Sequence, residues 1–210
     1  MYYKYFLIYS LLNKNVNSIK YIRYSLIRPL YLELYNKIHE KNFYTLEHVV
    51  PKCYYKNDKE LIRDMHNIIL YPANTNLHRS NYKYINQDNY YNDLTILDNK
   101  GNIIKKKNEK IDLSIKNNKM KTFVPTDNYK GVIARCCMYF INQYSEYESI
   151  ILSKVIDAKT ILLWHNNYPV SELEYEKNLV IKELQGNENI YIKKPIKLIY
   201  DIDDRYNIRL

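Results

Sequence analysis

Glycine, cysteine and long apolar runs are what this chain has least of. Only three of its 210 residues are glycine, while Asn, Lys, Ile and Tyr dominate. That bias reads as an AT-rich genome and carries no mechanism. The cysteines are Cys53, Cys136 and Cys137. They form no C-x-x-C pair, which argues against a zinc ribbon, and an odd count argues against a disulfide framework. A single bridge from Cys53 to the adjacent pair stays open, with the reduced state of an intracellular protein as the expectation. No stretch approaches the length of a membrane span. The first residues, MYYKYFLIYSLLNKN, place one Lys before a mostly apolar run at 5–12. That run is short for a signal-peptide core, is interrupted by Tyr and Ser, and lacks a small-residue cleavage site. A cytoplasmic location is expected, and the signal-like segment leaves secretion as the alternative. Internal repeats and flexible linkers are absent too, so one domain over 1–210 is expected, of a size that buries a proper core.

Positive charge is abundant. The formal net charge is +9, and on a domain this small it creates a field that attracts polyanions. Nucleic acid is the first partner to consider and an anionic membrane surface the second. No amphipathic basic helix supports the membrane, so nucleic acid is the expected partner, bound by a monomer. The 25 tyrosines add little to a base-stacking case, because codon bias alone supplies them.

Apolar and tyrosine positions recur every three or four residues over 1–40, which predicts a helical N-terminal segment broken at Pro29. Residues 43–50 read as a strand stopped by Pro51. A short helix is expected over 58–65, and HNIILYP (66–72) is a buried strand ended by Pro72. ANTNLHRSNY (73–82) is too polar for a core helix and suits a loop. LTILDNKGNIIKKK (94–107) predicts a hairpin turning at 98–101, with Lys105, Lys106 and Lys107 as a solvated run. In KGVIARCCMYFINQY (130–144), Ile133, Cys136, Cys137, Phe140, Ile141 and Tyr144 make one apolar helical stripe. Arg135 lies beside that stripe, free to face something charged. Ser171 and Glu174 form a capping box that opens a helix to 184, and Gly186 stops it.

Chemistry concentrates around YTLEHVVPKC (44–53). Glu47 and His48 are adjacent at the end of an apolar run, just before Pro51. In a regular strand they point to opposite faces. At a strand end that rule relaxes, and both can address one pocket. A carboxylate offers oxygen to a hard cation, and a neutral imidazole takes a proton at neutral pH. Asn74, Asn76, His78, Arg79, Ser80 and Asn81 add amide oxygens and a guanidinium suited to phosphate. Asp64 and His66 sit between. A base, metal ligands and an arginine are what phosphodiester hydrolysis requires. Each signal alone is as readily structural, and a zinc held by His48, Cys53, His66 and His78 is a competing use of the same side chains.

The order of the blocks goes further. LEHVVPK (46–52), DMHNIILYPANTNLHRSNY (64–82), KGVIARCCMYF (130–140) and VSELEYEKNLVIKELQGNENIYI (170–192) together resemble the endonuclease I family of ββα-metal, or His-Me finger, nucleases. The family pattern runs E-H-V-x-P, D-x-H-N/H-L, N-x-x-R-S-N, K-G-D-x-A-R, E-x-x-R-N and Q-G-N-R-N-P. The resemblance implies an α+β fold, a ββα-metal core surrounded by helices. The catalytic core would fill about 43–144, between helical segments at 1–40 and 170–192.

It also implies roles. His48 corresponds to the general base, and Glu47 and Asn76 to the protein ligands of one divalent cation, Mg²⁺, with Mn²⁺ or Ca²⁺ able to occupy the site. Arg79, in the R-S-N block, is expected as a structural or phosphate-facing cation among the catalytic residues, Arg135 at the scissile phosphate, and Lys52, Arg79, Lys130 and Arg135 on nucleic acid. Asp64 and His66 are expected to support the site from behind. Val132 replaces the Asp of K-G-D, Lys177 an Arg, and Glu188 and Ile190 an Arg and a Pro. Those departures bear on substrate grip and leave the metal and base positions intact. The implied activity is a metal-dependent endonuclease of little sequence preference, acting on DNA with RNA as a second substrate and leaving 5′-phosphate ends. The rival is a basic nucleic-acid-binding protein of the same fold without catalysis.

Overall fold

The computed structural model describes residues 24–56, 58–86, 94–104 and 112–208. Residues 1–23 of the helical segment expected over 1–40, and the run Lys105, Lys106, Lys107, fall outside them. The fold class is α+β, with helices on both sides of a hairpin and a second small sheet.

The hairpin partitions the molecule. Strands β1 (Tyr44–His48) and β2 (Ile68–Pro72) pair antiparallel, with Glu47 opposite Ile69 and His48 opposite Ile68. Side chains alternate across a strand, and both faces are covered. Ile68 and Leu70, with Leu46, pack against Ile27, Leu30 and Tyr31 of α1 (Tyr24–Leu34) and Val180, Ile181 and Leu184 of α5 (Glu172–Gln185). Ile69 and Tyr71 enter the larger core built on α3 (Asp127–Gln143) and α4 (Ala158–Asn167). Double coverage is why all five residues of β2 are buried and why the segment reads as an unbroken apolar run.

Pro29 lies inside α1 rather than breaking it. A proline there removes a backbone donor and costs about 3 kcal/mol. Buried neighbours at Ile27, Leu30 and Tyr31 offset the loss. Arg28 ties the helix to the hairpin through the carbonyl of Tyr44 at 2.9 Å and that of Lys41.

The polar segment expected as a loop is a helix, α2 (Ala73–Arg79). Its inward face needs only Thr75 and Arg79, four residues apart. The Arg79 guanidinium lies over the Tyr84 ring, 4.3 Å from its centroid, and does the packing an apolar residue would do elsewhere. The helix expected over 58–65 is instead two tight 3-10 turns, Leu61–Arg63 and Met65–Asn67.

The second sheet has the order β3-β7-β6-β4-β5, from β3 (Lys83–Tyr84), β4 (Leu94–Leu97), β5 (Ile103–Ile104), β6 (Ser114–Asn117) and β7 (Thr122–Val124). Its β4–β5 pair is the predicted hairpin. The Asp98 carboxylate accepts the N–H groups of Lys100 and Asn102 at 2.8 Å each and fixes that turn.

Helix α3 is the axis of the helical half, and every residue from 133 to 141 is buried, not one stripe alone. Helix α5 begins at its Ser171 cap and ends at Gly186 in the left-handed conformation, φ 84, as predicted. Two further helices, α6 (Ile190–Lys193) and α7 (Ile196–Tyr206), close the fold. No described helix is long and apolar enough to cross a membrane.

Candidate active site

A cleft of about 250 Å³ opens where β1 ends, between the hairpin and α2, and Glu47, His48, Lys52, Asn76 and Ser80 line it. Strand alternation is kept. Glu47 leaves toward α2 and His48 toward α1, and the cleft runs around the strand end so that both reach it.

What fixes the turn after His48 is Asn67. Its backbone carbonyl accepts the Val49 N–H at 3.0 Å, its Oδ1 accepts the Val50 N–H at 2.8 Å, and its Nδ2 donates to the Val50 carbonyl at 3.1 Å. Tyr55 completes the clamp, donating to the Val50 carbonyl at 2.9 Å and accepting from Asn67 Nδ2 at 2.7 Å. Asn67 belongs to the D-M-H-N block, so its signal was in the sequence, but nothing local said what it would hold.

His48 is buried and stacked on Tyr24, ring centroids 5.7 Å apart. Its Nε2 lies 2.9 Å from the Ile62 carbonyl. A carbonyl oxygen only accepts, so Nε2 carries the proton and Nδ1 the lone pair. Burial pushes the imidazole pKa down to about 4, with the Lys52 and Arg79 charges adding to the effect. The ring is therefore neutral at physiological pH, with one basic nitrogen unused by any described hydrogen bond.

Glu47 is held from one side. Its Oε1 accepts from Arg79 Nη1 at 2.6 Å and from the Tyr84 hydroxyl at 3.4 Å. Burial pushes its carboxyl up to about 7 against the pull of Arg79 and Tyr84. Asn76 is anchored by Nδ2 to the Leu46 carbonyl at 3.2 Å. Each side chain thus keeps one oxygen, Oε2 and Oδ1, that no described hydrogen bond claims. One carboxylate and one amide oxygen on the same cleft suit a hard divalent cation that keeps much of its water. Among the described residues no cluster of three or more His, Cys, Asp or Glu side chains is placed to hold a metal. The zinc alternative fails on that ground.

Arg135 requires correction, and Arg79 is turned inward. Arg79 is 1% exposed, and besides Glu47 it donates to the carbonyls of His48 at 3.2 Å and Val49 at 2.8 Å. It shapes the cleft from beneath and does not reach out to phosphate. Arg135, also 1% exposed, is outside the cleft altogether. It faces a charge, but that of Glu174, to which Nε and Nη2 donate at 2.7 and 2.6 Å. Its Nη1 donates to the Tyr168 carbonyl at 2.9 Å. Gly131, one turn earlier, makes room: a Cβ there would meet the Tyr168 oxygen at 2.2 Å and Arg135 Nη2 at 2.7 Å. The K-G-x-x-A-R block is thus a packing junction.

Lys130 is likewise away from the cleft, ion-paired to Asp127 at 2.6 Å. Lys52 is the expected nucleic-acid contact that does line the cleft and is exposed.

Asp64 and His66 stand one layer further back than expected. Asp64 accepts from Tyr139, Tyr144, Gln185 and the His66 N–H at 2.7–3.0 Å. His66 Nε2 donates to the Asn187 carbonyl at 3.2 Å. No described hydrogen bond joins either to Glu47 or His48. The departures from the family pattern also fall outside the cleft. Lys177 is buried and donates to the Ile68 carbonyl at 2.7 Å, joining α5 to the strand residue opposite His48. All three cysteines are free thiols, Cys53 exposed and the other two buried in α3.

The molecule is thus an α+β protein whose cleft joins two oxygen donors to a neutral imidazole. The sequence profile of the Endonuclease I family matches residues 35–196, and the chain belongs to that family. It is 30% identical over 139 residues to Endonuclease-1 of Buchnera aphidicola subsp. Acyrthosiphon pisum (strain APS), covering 66% of this chain and 48% of that protein. The match spans about half the length of that relative.

Proposed function

We propose that this protein is a metal-dependent endonuclease that hydrolyses phosphodiester bonds of DNA, and of RNA, with little sequence preference. The observation that carries the reading is the free Nδ1 of a neutral His48 on the same cleft as Glu47 and Asn76. In this reading the hairpin and α2 are the ββα-metal core. Glu47 and Asn76 hold one divalent cation, Mg²⁺ by the hardness of its oxygen donors. When bound, it supplies Lewis-acid stabilisation of charge on the phosphate and the leaving oxygen.

His48 Nδ1 takes the proton of the attacking water, while the Ile62 carbonyl keeps Nε2–H in place and so fixes the ring. Arg79 orients Glu47 and the backbone on either side of His48. Lys52, exposed at the rim, meets the phosphate backbone. Water attacks opposite the 3′ oxygen. The P–O3′ bond breaks with its electron pair on that oxygen, solvent returns a proton to it, and a 5′-phosphate remains. Contacts to backbone rather than bases leave sequence preference low.

Nicking of supercoiled plasmid at low salt tests this, with wild type beside His48→Ala, each with Mg²⁺ and with a chelator. Nicking by metal-loaded wild type alone is expected, and end-labelled products should carry 5′-phosphates. A plasmid that both proteins shift on a gel and neither cuts would make the protein a binder without catalysis.

A further inference from the structure

We propose that Tyr82, Lys116 and Lys121 form a second contact for the nucleic-acid backbone, a phosphate clamp beside the cleft; the inference rests on the nuclease reading above. The ammonium groups of Lys116 and Lys121 lie 4.9 and 5.1 Å from the centroid of the Tyr82 ring. Lys121 also donates to the Tyr82 hydroxyl at 3.1 Å. Two like charges on one ring repel, and among the described residues neither lysine makes an ion pair. Anionic oxygen between them removes the repulsion and uses the donors that Tyr82 leaves over.

The position of Lys121 is built. It sits in the β6–β7 turn at φ 57, a left-handed conformation that strains any residue with a side chain. Asn117 Oδ1 fixes that turn by accepting the N–H groups of Lys119 at 3.1 Å and Met120 at 2.9 Å. The Lys83 N–H pins the Lys121 carbonyl at 3.0 Å. Little backbone freedom remains to be lost on binding.

Chain continuity joins this patch to the chemistry. Ser80 forms part of the cleft wall, and Tyr82 is two residues further on, at most about 7 Å away along an extended backbone. That is about two base-pair steps, at about 3.4 Å of helix axis each. Because cations cover the Tyr82 ring, the contact reads phosphate and not base identity.

The test is duplex binding by Lys116→Ala/Lys121→Ala in a His48→Ala background, followed by anisotropy of a labelled duplex across a salt series. Losing two phosphate contacts should weaken binding about 10- to 100-fold near 50 mM salt and lower the slope of log K against log salt by about 2. The loss should be equal for several duplex sequences. A charge-matched variant, Lys159→Ala/Lys194→Ala, removes two exposed lysines from the helical half and should leave the slope unchanged. With His48 intact, the double variant should hydrolyse a mononucleotide p-nitrophenyl ester as wild type does, since that substrate cannot reach the patch. Unchanged affinity and slope, or an equal loss in the charge-matched variant, would overturn the clamp while nicking by wild type still stood. If wild type neither binds duplex nor cuts plasmid, the nuclease reading fails and the clamp with it.

Discussion

Two buried arginine–carboxylate pairs, one at the cleft and one in the helical half, look alike in every respect except one. Arg79–Glu47 and Arg135–Glu174 both close at 2.6 Å, with both guanidinium side chains 1% exposed. In the helical half the pair is complete, because both oxygens of Glu174 are taken by Arg135. At the cleft it is incomplete. Glu47 gives one oxygen to Arg79, and Arg79 turns its other donors to the backbone of His48 and Val49, leaving Nε without a partner. Burial and pairing mark both sites equally. The unclaimed oxygen distinguishes a pair that can do chemistry from one that only holds helices together.

The same isosteric change should therefore read differently in cleavage at the two places. Glu174→Gln leaves the Arg135 charge buried without its counter-charge, at a cost of about 3 kcal/mol or more. Molecules that remain folded should cut at the wild-type rate. Glu47→Gln should slow cleavage on the order of 100-fold or more by removing the charge that holds the cation. It too leaves a buried guanidinium without its counter-charge and should cost stability, by less than Glu174→Gln because burial already pushes the Glu47 carboxyl up to about 7 and makes its ionisation less favourable in the folded state. Urea unfolding at pH 8 beside plasmid nicking reads both quantities. If Glu174→Gln lost cleavage with stability intact, Arg135 would be at the phosphate after all.

The misassignment of Arg135 shows what a sequence hides. Its place off the apolar stripe of α3 is correct, and it does face a charge, but the partner is 39 residues away, and periodicity says nothing about what covers a helix. Helix α2 failed for a related reason: its inward side chains are Thr75 and Arg79, so no apolar period exists to find. Strands β3 and β5 have two residues each, too few for any alternation. By contrast, β2, α3 and α5 were legible because apolar runs, a 3.6-residue period and a Ser cap with a Gly stop are local. Within the motif blocks, order brought out Glu47, His48 and Asn76 but could not separate them from residues that only scaffold. Asp64, Gln185 and Asn187 belong to those blocks and end in one sealed network.

Acid should act on the sealed side through His66, as it does on the cleft through His48. His66 is 2% exposed, lies tilted against Tyr139 with ring centroids 4.5 Å apart, and is pushed down to about 4 by burial, against the pull of Asp64. Between pH 6.5 and about 4 the unfolded chain binds a proton that folded His66 does not. Stability is thus complete above pH 6.5 and drains as pH falls toward 4, by at most about 3 kcal/mol. His66→Gln should flatten the stability–pH curve in that window. An unchanged slope from pH 6.5 to 4 would remove His66 from the account.

The smallest effect separates positioning from packing most sharply. Tyr55 donates a buried hydrogen bond to the Val50 carbonyl at 2.9 Å, and Tyr144 a part-buried one to Asp64 at 2.7 Å. Tyr55→Phe and Tyr144→Phe should each cost about 1 kcal/mol. In Tyr55→Phe the Val50 carbonyl keeps Asn67 Nδ2 at 3.1 Å, so the turn after His48 survives with one restraint fewer. A base displaced by a fraction of an ångström slows a proton transfer without abolishing it, and roughly a 2- to 10-fold fall in kcat is expected there. Tyr144→Phe loosens a carboxylate that touches no group on the cleft, so its kcat should equal wild type. Equal kcat in the two variants would reduce the Asn67–Tyr55 clamp to packing, and a fall in both would mean that the sealed network reaches the cleft through β2.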